Sequence, residues 1–182
     1  SSNSERLTLL INDLLDLEKL SARQMVFNLQ LHNLDSIVQR AVQENSTYGQ
    51  QRQVRLVYQA EPQLKAQASV DEHRLLQVLA NLLSNAIKFS PQQGVVSVTL
   101  QQQDNQLLIS IADQGPGIAA AFQHKVFQRF AQKDSGNTRQ QGGTGLGLAL
   151  SQRLMHAMHG DIWFSSPPGE GATFYLSLPV AA

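Results

Sequence analysis

The stretch "TRQQGGTGLGLALSQRL", residues 138–154, contains four glycines within the six positions 142–147, directly before an apolar run of helical character. Glycine costs a helix roughly 1 kcal/mol per residue relative to alanine, so this density at a helix start requires a structural reason. One reason is a tight turn with positive φ, and another is a backbone that must approach a phosphate group closely. The other motifs of the sequence indicate whether these glycines form a turn or bind a phosphate.

Composition limits the classes of protein that need to be considered. The chain has 182 residues, of which 42% are hydrophobic, enough for one domain of ordinary size plus an appendage. Lysine plus arginine equals aspartate plus glutamate at 14 each, which predicts no nucleic-acid partner. The chain has no cysteine, as is typical of a reducing compartment. With no membrane-length apolar run and no signal peptide, we expect a soluble, cytoplasmic domain, and leave open whether a parent protein is anchored in the inner membrane.

The N-terminal segment predicts a helix with an apolar seam. Leu7, Leu10, Leu14 and Leu17 alternate at steps of three and four residues, and charged residues lie between them. This heptad-like spacing favours a helix of a bundle or dimer, and the alternative is a helix packed on its own domain. The chain starts inside this helix, so we expect it to be a piece of a longer protein.

The remaining elements indicate an α+β fold. Strand character is found at residues 26–31, 54–59, 65–70, 95–100, 107–113, 161–166 and 171–180, and helical character at residues 34–49, 71–89, 122–130 and 146–159. Consecutive strands fall in hairpins, which favours a mixed, mostly antiparallel sheet with helices on one face over a wound parallel sheet.

A polar stripe runs along the predicted helix 71–89, for which Asp71 is the predicted N-cap and Ser90-Pro91 the predicted end. Asn81, Asn85 and Lys88 lie at i, i+4 and i+7, and Arg74 and Gln77 extend the stripe toward the N-terminus. A stripe that simply faces water is one interpretation. The other is a phosphate site, because an asparagine carbonyl can bind Mg²⁺ when a triphosphate supplies the negative charge, and lysine neutralises a phosphate oxygen.

Two glycine motifs follow. In "DQGPGI", residues 113–118, Asp113 stands at a strand end, where an ionised carboxylate can accept a hydrogen bond from the exocyclic amine of adenine. The alternative is an ordinary Asp-Gly turn. The opening stretch lacks the Lys-Ser or Lys-Thr of a Walker A loop, and no strand precedes it as in a Rossmann fingerprint. It is therefore interpreted as a glycine-rich loop that opens a helix near Gly145, whose N–H groups suit phosphates.

The order of these motifs resembles the catalytic ATP-binding domain of sensor histidine kinases, whose fold is shared with DNA gyrase, a heat-shock chaperone and a mismatch-repair ATPase. The resembling boxes are "NLLSNAIKFS", "DQGPGI", "VFQRF" and "GGTGLGLAL", with "GEGATFYLSLP" as the closing hairpin and "LINDLLDLEKL" as the second dimerisation helix. The resemblance implies a two-layer α/β sandwich of the Bergerat type plus an N-terminal helix. Residues 1–27 would be the C-terminal part of that dimerisation helix, and residues 28–182 the ATP-binding domain with a lid at about 131–143.

The resemblance also implies the site. Asn85 would hold Mg²⁺ with support from Asn81, and Lys88 would meet phosphate, so that Asn85 and Lys88 are the catalytic residues. Asp113 would accept the adenine amine, and the other expected nucleotide contacts are Phe89, Gly115, Gly117, Ile118, Phe130, Gly143, Thr144, Gly145, Leu146, Gly147, Leu148 and Thr173. The boxes depart from the family pattern at Gln114 and Gln128, neither of which is assigned to the nucleotide.

The family function so implied is transfer of the ATP γ-phosphate to a histidine, for relay to a response regulator receiver domain, within a homodimeric parent protein. None of the chain's histidines, His32, His73, His124, His156 and His159, lies in the acceptor motif of the family. The acceptor is therefore expected on a dimerisation helix outside this chain. Two alternatives remain: a gyrase-like, ATP-gated conformational module, which would place a glutamate base where Asn81 stands, and a degenerate, nucleotide-sensing scaffold.

Overall fold

The computed structural model describes residues 2–129 and 145–182. In the described ranges the helices are α1 (Ser2–Ser21), α2 (Leu34–Gln51), α3 (Glu72–Phe89), α4 (Ala120–Gln123) and α5 (Gly147–Ala157). The strands are β1 (Gln30–His32), β2 (Arg55–Ala60), β3 (Ala68–Val70), β4 (Val95–Gln103), β5 (Gln106–Ala112), β6 (Asp161–Ser165) and β7 (Thr173–Pro179). None of these helices is both long and apolar enough to cross a membrane.

Five strands form the main sheet in the order β2-β4-β5-β7-β6. Strands β2 and β4 are parallel, and the other three neighbouring pairs are antiparallel. The mixed, mostly antiparallel sheet is thus confirmed. Strands β1 and β3 form a separate two-stranded antiparallel sheet that the sequence pattern did not predict.

The helices cover one face of the main sheet, as predicted. Val98 of β4 and Ile109 of β5 are buried in one hydrophobic cluster with residues of α2, α3 and α5, such as Leu83. On the opposite face the ring of Trp163 is 39% exposed and stacks on Tyr175 at a centroid distance of 5.4 Å. The alternation of strand side chains therefore separates a helix-covered face from an open one.

Helix α3, which carries the polar stripe, begins and ends where its sequence predicts. The carboxylate of Asp71 accepts a hydrogen bond from the backbone N–H of Arg74 at 3.1 Å, so Asp71 is the N-cap. The helix ends at Phe89, and Ser90 adopts an extended conformation before Pro91, which disfavours helical geometry in its predecessor.

Three predicted elements are wrong in their bounds, and the first of them, the predicted strand 65–70, is reduced to Ala68–Val70. The predicted helix 122–130 begins earlier, at Ala120, and ends at Gln123. Residues after it make i-to-i+3 bonds, such as Gln128 N–H to the carbonyl of Lys125 at 3.0 Å, rather than a continuous α-helix. The predicted strand 26–31 is reduced to Gln30–His32, because only these residues find a partner strand in β3.

Helix α1 presents two different apolar faces. Leu17 is fully buried against the domain, and Leu10 and Leu20 pack partly against the same core. The other face is open to solvent and carries the exposed side chains Leu7, Ile11, Leu14 and Leu15. The seam predicted from the sequence is therefore split. Its docked face packs on the chain's own domain, and a bundle or dimer contact through the open face stays a prediction.

Candidate functional site

The polar stripe of α3 lies beside the start of α5. Asn81, Asn85 and Lys88 are partly exposed, while the opposite face of α3 is buried. The side-chain amide of Asn81 donates a hydrogen bond from Nδ2 to the hydroxyl of Ser151 in α5 at 3.1 Å. A Cβ on Gly147 would collide with Oδ1 of Asn81, so a side chain at this position would require the Asn81 amide to move or the two helices to separate.

This contact adds a second role to the glycine loop. The predicted contact of Gly147 with phosphates stays a prediction, and the structure adds that a Cβ at Gly147 would meet the Asn81 amide. Gly145 and Leu146 precede α5; Leu146 is fully buried and Leu148 packs partly on the core. Phe130, Gly143, Thr144 and the predicted lid 131–143 lie outside the described residues.

At its C-terminal end, α3 brings two cationic residues close together. The guanidinium of Arg52 donates to the backbone carbonyl of Lys88 at 2.9 Å, and the Lys88 ammonium lies 5.0 Å from the ring centroid of Phe89. Burial lowers the pKa of Lys88 below its ordinary value of 10.5, and the positive charges of Arg52 and Arg6 lower it further. An anion placed here would relieve this repulsion.

Asp113 follows β5 and is held rigidly by its neighbours. Oδ1 accepts hydrogen bonds from the backbone N–H of Gly115 at 2.9 Å and of Ala172 at 3.1 Å. Within the described residues both bonds to this carboxylate go to Oδ1, which leaves Oδ2 to receive a donor. Thr173 lies opposite Ala112 in the β5–β7 ladder, so Thr173 and Asp113 meet at the same end of neighbouring strands.

The "DQGPGI" loop joins Asp113 to the end of α3. The backbone carbonyl of Phe89 lies so close to Gly115 that a Cβ there would collide with it. The loop then turns at Gly117, whose φ of 78° lies in the left-handed region that favours glycine. The loop is therefore more than an ordinary surface turn, because it packs against α3 on one side and the β6–β7 connection on the other.

Ser166 and Gln123 fix the far side of this loop. The N–H of Ile118 donates to the buried hydroxyl of Ser166 at 2.7 Å, and the Gln123 side chain donates to the carbonyl of Ile118 at 3.1 Å. Neither residue was singled out from the sequence. Ser166 lies 48 positions beyond its partner, and only the pairing of β6 with β7 brings it to the loop.

In the segment "VFQRF", residues 126–130, Val126 is buried and Phe127 packs against the core. Phe127 packs against Phe164 and Phe174 with ring centroids 6.0 and 6.3 Å away. Between residues 2–129 and 145–182, no group of three or more histidine, cysteine, aspartate or glutamate side chains is arranged to hold a metal ion. The predicted Mg²⁺ contact through the amide oxygen of Asn85 stays a prediction.

The sequence of this chain matches a known protein family and is similar to that of several sensor histidine kinases. The family described as "Histidine kinase-, DNA gyrase B-, and HSP90-like ATPase" matches residues 70–182. Sensor histidine kinase WalK of Bacillus subtilis (strain 168) is 34% identical over 180 residues, which cover 98% of this chain and 29% of WalK. Sensor-like histidine kinase SenX3 of Mycolicibacterium smegmatis is 35% identical over 178 residues, covering 98% and 46% of the two chains.

A solved structure is similar over the whole chain. Full-length ShkA in complex with AMPPNP superposes with a TM-score of 0.86 at 29% identity, covering 100% of this chain and 37% of ShkA. The chain thus spans less than half the length of each of these relatives. The family match runs from the end of β3 through α3, α5 and the closing hairpin to the C-terminus. Since it covers more than half of the chain, the chain belongs to the family of histidine kinase-, DNA gyrase B- and HSP90-like ATPases, as the resemblance of its motifs to sensor histidine kinases predicted.

Proposed function

We propose that this chain is the ATP-binding catalytic part of a sensor histidine kinase and transfers the γ-phosphoryl group of ATP to a histidine outside the chain. The observation that carries the proposal is the Asp113 carboxylate, held through Oδ1 by the Gly115 and Ala172 N–H groups at a strand end. Its second oxygen would accept the adenine amine. The AMPPNP complex of the similar protein ShkA supports an adenine nucleotide as the ligand.

Several of the other predicted site residues are in contact near Asp113. Phe89 and Gly115 are in backbone contact, so the expected adenine neighbours lie together with Asp113 and Thr173. Gly117 and Ile118 form the loop wall that Ser166 holds. The phosphate chain would extend along α3 toward the start of α5, where Gly145, Leu146, Gly147 and Leu148 are expected to offer backbone groups, with Phe130, Gly143 and Thr144 added from outside the described residues.

Mg²⁺ fits this site as an ion shared between protein and nucleotide. It prefers oxygen ligands and commonly keeps waters, with one or two protein oxygens and the rest from phosphates. Asn85 supplies a partly exposed amide oxygen on the stripe. When bound, the ion would neutralise charge that develops on the transferring phosphoryl group.

The chemical step requires positioning more than acid–base catalysis. A bond forms between an imidazole nitrogen of the acceptor and the γ-phosphorus, and the bond to the β–γ bridging oxygen breaks, so that ADP leaves with the electron pair. Lys88 would stabilise the phosphate charge. Asn81 has no basic group to activate water, and its amide is engaged with Ser151 and Gly147, which favours transfer to histidine over hydrolysis.

The proposal extends to the partners of the parent protein. Residues 1–27 would belong to the dimerisation helix and residues 28–182 to the ATP-binding domain. The exposed apolar face of α1, with Leu7, Ile11 and Leu14, would pack against the acceptor-bearing helices in a cytoplasmic homodimer. The phosphoryl group would then pass to the receiver domain of a response regulator.

Isothermal titration of the chain with Mg²⁺-ATP, Mg²⁺-ADP and Mg²⁺-GTP tests the nucleotide assignment. We expect binding of both adenine nucleotides and weaker binding of GTP, whose ring presents a carbonyl where adenine has the amine. The absence of both binding heat and a thermal shift at millimolar ATP would rule out the proposed function. Equal affinity for ATP and GTP would contradict the role of Asp113.

A further inference from the structure

A polar cluster joins α1 to the N-terminal half of α3. Oδ2 of Asp16 in α1 accepts a hydrogen bond from the Gln77 side chain at 3.1 Å and pairs with the Arg74 guanidinium at 3.4 Å. The same guanidinium nitrogen donates to Oε1 of Gln77 at 2.9 Å. The three side chains thus form a closed triangle, which we call the Asp16 triad.

The Asp16 triad differs from the other ion pairs of the described residues in its burial. The Arg74 and Asp16 side chains are only 19% and 18% exposed, whereas both members of every other pair are at least 39% exposed. A buried pair must offset the cost of desolvation, and its best-attested use is to fix the register of packed helices. The triad is therefore better explained as an orienting contact than as a source of stability.

Other contacts of α1 with the domain are weaker or less directional. Glu18 pairs with Arg129 at 3.2 Å, with both side chains exposed, and such pairs contribute roughly 0–1 kcal/mol. Leu17 is fully buried, but an apolar contact defines position less strictly than the two polar bonds that Asp16 makes to α3. Ser21, at the end of α1, also accepts long hydrogen bonds of 3.4 Å from Arg129 and Arg153. The triad joins the middle of α1 directly to α3 through Asp16.

The same stripe of α3 carries the proposed metal and phosphate ligands. Gln77 and Asn85 are eight residues apart, which corresponds to about 12 Å along one helix. Asn81, Asn85 and Lys88 stay partly exposed with α1 in place, so α1 does not seal the stripe. Helix α1 also carries the open apolar face. Its position along α3 therefore sets the distance between that face and the stripe.

We propose that Arg74 and Gln77 are positioning residues, which act through Asp16 to hold α1 in register with the ATP site without touching the nucleotide. The proposal rests on the proposed function, since it assumes that α1 continues into the helices that carry the acceptor histidine. A shift of α1 would move the acceptor nitrogen out of line with the γ-phosphate. A misplacement of about 1 Å can cost on the order of a hundredfold in rate.

The test compares Arg74→Ala and Asp16→Ala in the longest natural form of the protein that contains this chain. The measured quantities are the rate of phosphohistidine formation at saturating ATP and the Kd for ATP. We expect the rate to fall by about ten- to a hundredfold, and the Kd to change by less than about twofold, since the nucleotide contacts are intact. The matched control is Arg40→Ala, which removes an exposed arginine that pairs with Glu44 and should leave the rate unchanged.

Charge reversal separates positioning from general damage to the fold. Asp16→Lys combined with Arg74→Glu restores an opposite-charge pair and should recover about tenfold of the lost rate. If either single variant does not fold, Gln77→Leu removes the two hydrogen bonds that Gln77 makes in the triad, leaves the Arg74–Asp16 pair, and should lower the rate in the same way.

The outcomes separate this inference from the proposed function. An unsubstituted protein that neither binds ATP nor forms phosphohistidine would overturn the proposed function and this inference with it. Normal labelling in the parent protein together with an unchanged or increased rate in Arg74→Ala would overturn the inference alone. So would a charge-reversed pair that is no faster than its single variants.

Discussion

The first turn of α5 lies in direct contact with the stripe of α3, because Gly147 leaves room for the side-chain amide of Asn81. Gly147→Ala should push α5 away from α3, lowering the free energy of unfolding by about 1–3 kcal/mol, as overpacking of a tight contact does. ATP affinity should fall as well. Denaturant unfolding and titration measure the two effects. The control is Gly169→Asn at a φ of 80° with open space around it, where asparagine tolerates the left-handed conformation.

Asp113→Ala should weaken ATP binding by about 1.5–3 kcal/mol, the contribution of a hydrogen bond to a charged group. It should also remove the preference for ATP over GTP, because the lost acceptor is the group that distinguishes the two bases. Titration with both nucleotides measures this. Asp104→Asn in the exposed turn between β4 and β5 is the matched control and should bind like the parent chain. Unaltered discrimination in Asp113→Ala would refute the adenine assignment.

The sequence pattern correctly predicted the helix ends and the hairpin that depend on residues close together in the chain. The Asp71 cap, the end of α3 before Pro91 and the hairpin of β6 with β7 depend on neighbouring residues, and the structure confirms each. The contacts that complete the site connect distant positions. Ser151 is 70 residues from Asn81, and no periodicity or motif relates the two.

The same limit applies to α1 and to Gly147. Heptad spacing showed that α1 is apolar, but the division into a docked face and an open face depends on the partner surface of α3 and α5. The glycines of the opening stretch were assigned to a turn or to phosphates, whereas the Asn81 contact is a matter of helix packing. The sequence around Gly147 does not contain Asn81, so this contact could not be predicted without the packing of α5 on α3.

The pKa of Lys88 predicts a pH dependence of ATP binding. Burial and the charges of Arg52 and Arg6 hold this pKa below 10.5, so the amine loses its proton earlier on the alkaline side than an exposed lysine. Affinity should be constant well below that pKa and fall as pH rises through it, because the neutral amine no longer stabilises phosphate. The bound phosphate should raise the pKa, so binding should take up a proton in that window.

Lys88→Met is the control for this effect. The variant should bind ATP more weakly at neutral pH and lose the alkaline decline attributed to this residue. Calorimetry in buffers of different ionisation enthalpy measures the proton uptake. The same pH profile in the parent chain and in Lys88→Met would assign the titration to another group.

Asn85→Ala should abolish phosphoryl transfer while part of the nucleotide binding survives, because the change removes the proposed metal contact and leaves the adenine contacts of Asp113 intact. The measurement is phosphohistidine formation in the longest natural form of the protein, followed across Mg²⁺ concentrations. Asn105→Ala, at an exposed hairpin position, is the matched control. Transfer at the parent rate in Asn85→Ala would remove Asn85 from the catalytic residues.

The isolated chain should neither label itself stably nor hydrolyse ATP at more than a trace rate. Phosphoryl transfer requires the acceptor atom in line with the γ-phosphate, and none of the five histidines of this chain has the acceptor's sequence context. Water is a poor acceptor here because Asn81 stands where a hydrolytic relative would carry a base. Supplying the dimerisation helices, in the same chain or as a separate domain, should restore a phosphohistidine that is acid-labile and base-stable. Incubation of the isolated chain with γ-labelled ATP, followed by mapping of any label, decides the question, and label on one of its own histidines would show that the acceptor is internal.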